Sequence, residues 1–288
     1  MSAQPPAPKP KRFPLSLDQV ATRPSAQAAV GGPRPVLRPQ APLHHAAQER
    51  QRVVAPQGVG LDSVQVRRRM VERLQADGIS HPAVLHAMLS VPRHQFVDTA
   101  LVNQAYEDTS LPIGLGQTIS KPSVVASMIQ LLCERPSVAA GAPLELALGA
   151  CLEIGTGCGY QAAVLACLSK RVVSIERLRD LHLKARGNLD QLRHADRQWR
   201  DVRLVYGDGM LGHAPGGPYD TIIAAAGGEA LPQAWLDQLA PGGRLVAPVA
   251  QGPDRQQALT VVDRLPDGGL VHNRYGAVHF VPLKSGVF

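Results

Sequence analysis

Residues Cys151–Tyr160 read C-L-E-I-G-T-G-C-G-Y, and the chain is organised around them. An apolar run enters the stretch through Leu146, Ala147, Leu148, Leu152 and Ile154. Gly155, Gly157 and Gly159 follow at alternate positions, and Gln161–Leu168 leaves as a helix-forming run. Strand, glycine turn and helix open a nucleotide-binding α/β unit. Glycine has no Cβ, so its backbone takes positive φ and lets a ligand approach closely. The free amides that begin the next helix point at that ligand.

The spacing departs from the dinucleotide pattern G-x-G-x-x-G. Here it is G-x-G-x-G, with Glu153 two residues before the first glycine. A carboxylate there would repel a pyrophosphate and suits a cationic ligand bearing an amino group. S-adenosylmethionine is such a ligand, with a sulfonium, an ammonium and no phosphate. E-x-G-x-G-x-G after a strand resembles the first motif of the S-adenosylmethionine-dependent methyltransferases. The bland alternative is a tight turn with no ligand. Three closely spaced glycines then cost chain entropy without a packing return.

The 288 residues are 44% hydrophobic, enough for one sizeable core. Net charge is +7, but residues 1–60 hold eight basic residues and only two acids, Asp18 and Glu49. The remainder is near neutral, so the basic pI is no argument for nucleic-acid binding. Residues 1–60 also hold eleven of the 25 prolines, with little periodic hydrophobicity. Such a Pro/Ala-rich basic extension is expected to be disordered, leaving 61–288 as the folded domain. Cys133, Cys151, Cys158 and Cys167 form no C-x-x-C, and no His pair has zinc spacing. No metal is therefore expected, and His44-His45 in the extension is read as incidental. Reduced thiols, no apolar run of membrane-spanning length and no secretory h-region lead to the expectation of a cytoplasmic protein without membrane contact. A monomer is expected.

The folded part begins near Leu61, with a helix capped by Asp62 or Ser63 and a solvated basic run Arg67–Arg69. Ser80 is expected to cap a second helix, with Pro82 in its first turn, ending at Val91-Pro92-Arg93. Leu111–Pro122 reads L-P-I-G-L-G-Q-T-I-S-K-P, and its two glycines and two prolines are expected to exclude regular structure. A helix follows through Val124, Val125, Met128, Ile129, Leu131 and Leu132. Ser120 falls at its N-terminus, either as an ordinary cap or as an anion site made of a hydroxyl and free amides.

Beyond the glycine turn, Arg171–Glu176 reads as a strand ending in an acid about twenty residues past Gly155, where a carboxylate accepts from both ribose hydroxyls. That supports a nucleoside without choosing between NAD and S-adenosylmethionine. Leu178–Leu192 is expected to be helical, and Val202–Tyr206 a strand running into Gly207-Asp208-Gly209. Asp220–Ala226 and Arg244–Val249 are expected strands, separated by a helix at Leu231–Leu239 and a Pro241-Gly242-Gly243 turn. Leu259–Arg264 and Ala277–Pro282 are two more strand candidates, expected to close the sheet as an antiparallel hairpin. The fold class is α/β, a mainly parallel Rossmann-like sheet with helices on both faces.

Base methylation is disfavoured. The place of an Asn/Asp-Pro-Pro-aromatic motif reads A-A-A-G-G-E at Ala224–Glu229, and the chain has no Pro-Cys. V-P-R-H-Q-F-V at Val91–Val97, the Leu111–Pro122 segment, E-I-G-T-G-C-G-Y, Gly207–Gly209, P-G-G-R-L-V-A-P-V at Pro241–Val249 and F-V-P-L at Phe280–Leu283 occur in order. Together they resemble the protein-L-isoaspartate O-methyltransferases. The turn at Gly227-Gly228-Glu229 and Cys158 depart from the commoner pattern. The resemblance implies a class I methyltransferase fold with an N-terminal helical cap. It also implies a damaged-protein substrate, methylated on the α-carboxyl of an L-isoaspartyl residue, with the ester passing through a succinimide toward aspartate. It makes Ser120 the active-site serine, with Thr118 and Ile119 lining the same wall. It assigns Glu153, Gly155, Thr156 and Gly157 to the methionine end and backbone of S-adenosylmethionine, Glu176 to the ribose, Asp208 and Gly209 to the adenine side, and Gln257 to the cofactor by position.

The rivals are a small-molecule carboxyl methyltransferase, an NAD-dependent oxidoreductase and a non-catalytic module of the same fold. Tyr160 is followed four residues on by Val164, so no Tyr-x-x-x-Lys proton relay is present there. S-adenosylhomocysteine is expected to raise the melting temperature and NAD to leave it unchanged. The reverse result in a thermal-shift assay would transfer the glycine turn to the dinucleotide class.

Overall fold

The computed structural model describes residues 64–136, 146–195, 199–252 and 256–288. The 1–60 extension and the expected caps Asp62 and Ser63 lie outside the described residues.

Helices α1 (Val64–Ala76) and α2 (Pro82–Ser90) form the N-terminal cap. Arg68 and Arg69 are exposed as expected, whereas Arg67 reaches the Ser90 carbonyl. The second helix starts one residue later than expected, with His81 at its N-cap and no side-chain capping bond. Ser80 instead donates its amide to Gln130 Oε1, as does His81. Leu111–Pro122 corrects the sequence reading. It contains a β-hairpin, β1 (Leu111–Gly114) with β2 (Gln117–Ile119), closed across Leu115 and Gly116. Its glycines lie in the turn, where positive φ is needed: Gly114 has φ 101° and Gly116 has φ 68°. The glycines are thus why a hairpin forms rather than why it cannot. Helix α3 (Pro122–Cys133) follows.

The main sheet has the order β5-β4-β3-β6-β7-β8-β9. Its strands are β3 (Ala150–Ile154), β4 (Arg171–Glu176), β5 (Val202–Tyr206), β6 (Tyr219–Ala224), β7 (Leu239–Gln251), β8 (Gln256–Arg264) and β9 (Leu270–Val278). Helices α4 (Tyr160–Leu168), α5 (Arg179–Ala195) and α6 (Gln233–Gln238) connect them. The pairs from β5 through β7 are parallel, and those from β7 to β9 antiparallel. The expected α/β class and the antiparallel closing strands are both present. Two details differ. The Pro241-Gly242-Gly243 turn is a bulge inside β7, marked by a register shift opposite β6, and the last strand lies at Leu270–Val278 rather than Ala277–Pro282.

Period-two alternation sends Cys151 and Val172 into a core on one sheet face and Leu152, Ile154, Val173 and Ile175 into a core on the other. Order reverses between β3 and β6, so connections depart in opposite directions there and leave a crevice at the strand ends. Arg244 and Asp263 are cross-strand partners on β7 and β8, nearly buried and joined bidentately at 2.6 and 2.8 Å. Arg244 Nη1 also donates to the Leu131 carbonyl of α3. Asp263→Ala leaves that guanidinium buried without its counter-ion and is expected to cost about 3–5 kcal/mol in urea unfolding. A loss under about 1 kcal/mol would show that the pair does not tie α3 to the sheet.

Candidate active site

The crevice holds a cavity of about 450 Å³. The ends of β3 and β4 form its floor, with Ile154, Gly155, Thr156, Gly157, Ile175 and Glu176. Gly155, Gly157 and Gly159 take φ of 89°, 57° and 92°, so the turn uses the left-handed backbone at all three. The hairpin supplies the facing wall through Leu115, Thr118, Ile119 and Ser120. Ala225 and Ala226 after β6 complete a side, and Val281–Lys284 form part of the rim.

Glu176 lines the cavity at the end of β4. Its Oε2 accepts from Gly157 N at 2.9 Å and its Oε1 from Leu178 N at 3.0 Å. A carboxylate offers about four acceptor positions, so each oxygen keeps one for a ligand hydroxyl.

Glu153 is placed differently from the sequence reading. It is fully buried and does not line the cavity. It shares a sheet face with Cys151, because it lies two residues on along β3 rather than at the strand's open end. Its Oε2 accepts from Ser174 Oγ at 2.5 Å, and that hydroxyl lies 2.6 Å from Thr156 Oγ1. Glu153 therefore supports the glycine turn from behind. Burial pushes its carboxyl up to about 8, against the opposing pull of hydrogen bonding from Ser174 and Gln161.

Ser120 lines the cavity, but it is not the cap of α3. The N-cap is Lys121, with no side-chain capping bond. The helix N-terminus is also not a free anion site, because Asp108 already occupies it: Oδ1 accepts from Ser123 N at 2.8 Å and Oδ2 from Ser123 Oγ at 2.7 Å. Among the described residues the Ser120 hydroxyl has no hydrogen-bond partner, while its carbonyl accepts from Arg93 Nη2 at 2.8 Å.

Gly209 lines the cavity and Asp208 does not. The Asp208 carboxylate takes Met210 N and Gly286 N, capping a short turn and holding the segment that follows the rim. Gln257 also lies outside the cavity lining. Its Oε1 accepts from Phe280 N and its Nε2 donates to the Phe280 carbonyl, which latches the Phe280–Leu283 segment. A Cβ on Gly227 would lie 2.4 Å from Gln257 Nε2, so the glycine departure at 227 makes room for that latch. Cys158 lines the cavity with its thiol pushed up by burial, consistent with a small filler rather than a nucleophile.

The sequence reading missed Gln161. It is the only amide in the otherwise apolar run of α4, which was the available signal. It lines the cavity, and its buried amide lies beside the Glu153 carboxyl, which it pulls down, although Nε2 makes no hydrogen bond of good geometry among the described residues. Leu115 was missed too: it sits at the hairpin tip with φ 53° and is 57% exposed on the cavity wall. Among the described residues there is no group of His, Cys, Asp and Glu that could hold a metal ion.

The Glu153 placement has a pH consequence. A carboxyl held above its ordinary value contributes fully below that ordinary value and loses its contribution as pH rises through the folded one. Glu153→Gln stays neutral, so its melting temperature is expected to gain on wild type steadily from pH 5 to pH 8. A difference that stays constant across that range would contradict the buried, protonated carboxyl.

A family model described as protein-L-isoaspartate(D-aspartate) O-methyltransferase matches residues 65–287. The chain is 61% identical over 287 residues to the protein-L-isoaspartate O-methyltransferase of Methylibium petroleiphilum, covering 99% of each chain. It is 55% identical over 284 residues to that of Leptothrix cholodnii, covering 97% of this chain and 95% of the other. A solved protein-L-isoaspartate O-methyltransferase superposes with TM-score 0.65 at 28% identity, covering 77% of this chain and 67% of that one. A Plasmodium falciparum structure described as a protein-L-isoaspartate O-methyltransferase in complex with S-adenosyl-L-homocysteine shares the fold. Its TM-score is 0.63 at 24% identity, with coverage of 76% of this chain and 98% of that one. Matched over nearly its whole length, the chain belongs to the protein-L-isoaspartate(D-aspartate) O-methyltransferase family.

Proposed function

We propose that the chain transfers a methyl group from S-adenosylmethionine to the α-carboxyl of L-isoaspartyl residues in damaged proteins. One observation carries this reading: a single cavity is walled on one side by the glycine turn with Glu176 and on the other by the hairpin bearing Ser120. The residues fit the donor. Glu176 has acceptor capacity left for ribose hydroxyls, and the turn has no side chains at Gly155 and Gly157 to obstruct the backbone. Asp208 and Gln257 act on the cavity through the segments they hold, and Gly209 contributes a wall without a side chain. When bound, S-adenosylmethionine supplies an electrophilic methyl group on a sulfonium.

The acceptor needs little activation. A free carboxyl titrates at about 3.3–3.9 and is already an anionic nucleophile at neutral pH, so no general base is needed. What the protein contributes is position and exclusion of water. The Ser120 hydroxyl holds one carboxylate oxygen and leaves the other directed into the cavity. Because Asp108 fills the α3 N-terminus, the helix amides at Ser123 take no part in that grip. Thr118 and the exposed Leu115 lie beside it, where the peptide flanking the isoaspartyl residue enters.

The same reading takes 61–288 as the catalytic domain, with 1–60 outside it, and a monomer acting in the cytosol without nucleic-acid or membrane partners. It is supported by the four unpaired cysteines. Among the described residues no helix is long and apolar enough to cross a membrane.

Labelled methyl transfer to an isoaspartyl peptide and its aspartyl twin, scored as base-labile methanol, tests the substrate. Label is expected on the isoaspartyl peptide alone, and equal labelling would remove the assigned substrate. Ser120→Ala is expected to lower kcat by about 100-fold, the loss typical of one hydrogen-bond donor at a reacting oxygen. Its affinity for S-adenosylhomocysteine should be unchanged, and wild-type turnover would contradict the role of the hydroxyl.

A further inference from the structure

Arg93 belongs to the V-P-R-H-Q-F-V run that no part of the cavity uses. It is fully buried, and no carboxylate among the described residues forms a salt bridge with it. An arginine in such a place remains charged, and burying an unpaired charge is costly. An apolar residue of similar volume would fill the same space at no such cost. The guanidinium is instead spread over three backbone carbonyls. Its Nε donates to Ala105 at 2.8 Å, and its Nη2 donates to Ser120 at 2.8 Å and to Thr109 at 3.5 Å. Its Cζ lies over the Tyr160 ring, 4.8 Å from the centroid.

These four partners have a pattern. Thr109 and Ser120 bracket the β1–β2 hairpin, so one nitrogen grips both ends of the segment that walls the acceptor side. Tyr160 is the first residue of α4, directly after the glycine turn. A planar cation therefore spans from the serine that faces the acceptor to the helix that follows the donor turn. Arg93 itself does not line the cavity.

We propose that Arg93 is a positioning residue that sets Ser120 at a fixed separation from the glycine turn. The proposal rests on the methyl-transfer reading above. In-line transfer between two bound partners is sensitive to small displacements: a 1 Å error costs on the order of 100-fold in rate. Lysine keeps the charge but has no planar fork, so it satisfies fewer of the three carbonyls.

The test is Arg93→Lys, with all rates divided by the number of S-adenosylhomocysteine sites counted by calorimetry. The expected result is a kcat lower by about 10–100-fold, with KM for an isoaspartyl peptide and the S-adenosylhomocysteine Kd each within about threefold of wild type. Hydrogen exchange should accelerate at residues 111–119 and stay unchanged at 150–176. Unchanged kcat per site, or a loss confined to donor affinity, overturns the proposal. Should Arg93→Lys lack donor sites, Arg93→Gln, which keeps a planar donor group, is measured in its place. Absence of sites in both makes Arg93 a folding residue and also overturns the proposal. The wild-type arm separates the two readings: no ester with wild-type protein would sink the methyl-transfer reading itself, whereas wild-type ester with an unaffected Arg93→Lys would sink only the positioning role.

Discussion

The Glu176 carboxylate accepts one backbone amide from the glycine turn after β3 and another from the start of the segment after β4. Hydrogen bonds to an ionised acceptor are roughly twice as strong as neutral ones. This one side chain thus fixes two loops that leave adjacent strands at the edge of the crevice. Three left-handed glycines in a row of five residues are entropically unfavourable on their own. They persist because Glu176 holds the turn from the cavity side, while the Thr156–Ser174–Glu153 chain holds it from beneath.

The acceptor side is built by the opposite strategy. The glycine turn is rigid through hydrogen bonds to its own backbone, whereas the hairpin is held at its base by other elements. Asp108 caps α3 just beyond Ser120, and Lys184 reaches from α5 to the Ile113 carbonyl of β1 at 3.0 Å. The rim is likewise held from outside. Arg177 donates to the carbonyls of Ser285 and Gly286 and lies 4.6 Å from the Phe288 ring centre. Asp208 accepts from Gly286 N. Residues that the resemblance assigned to ligand contact, Asp208 and Gln257, make hydrogen bonds that hold this chain against itself.

That contrast explains what was legible in the sequence. The glycine turn and the strand ending in Glu176 could be read because backbone conformation and strand length leave local marks in residue type. That the sheet is mainly parallel followed from alternation of strand and helix, whereas the order of its strands is visible only in the structure. The hairpin at Leu111–Ile119 was not legible as structure, because Gly114 and Gly116 carry the same composition in a loop as in a tight strand turn. Glu153 was misread because an acid near a strand end looks the same whether it faces the open edge or the sheet face. Only the partner at Ser174, on another strand, decides between them. Asp108 lies fifteen residues from the amide it caps, beyond any local pattern.

Fold and site therefore meet at one requirement: an already anionic acceptor must be held beside a turn that accommodates a cationic methyl donor. The most direct measurement is a crystal structure with S-adenosylhomocysteine and an isoaspartyl peptide bound together. The account predicts the ribose hydroxyls on Glu176 and the peptide α-carboxylate on the Ser120 hydroxyl, with Asp108 still capping α3. A peptide carboxylate seated on the α3 amides in place of Asp108, or bound outside the cavity, would contradict it.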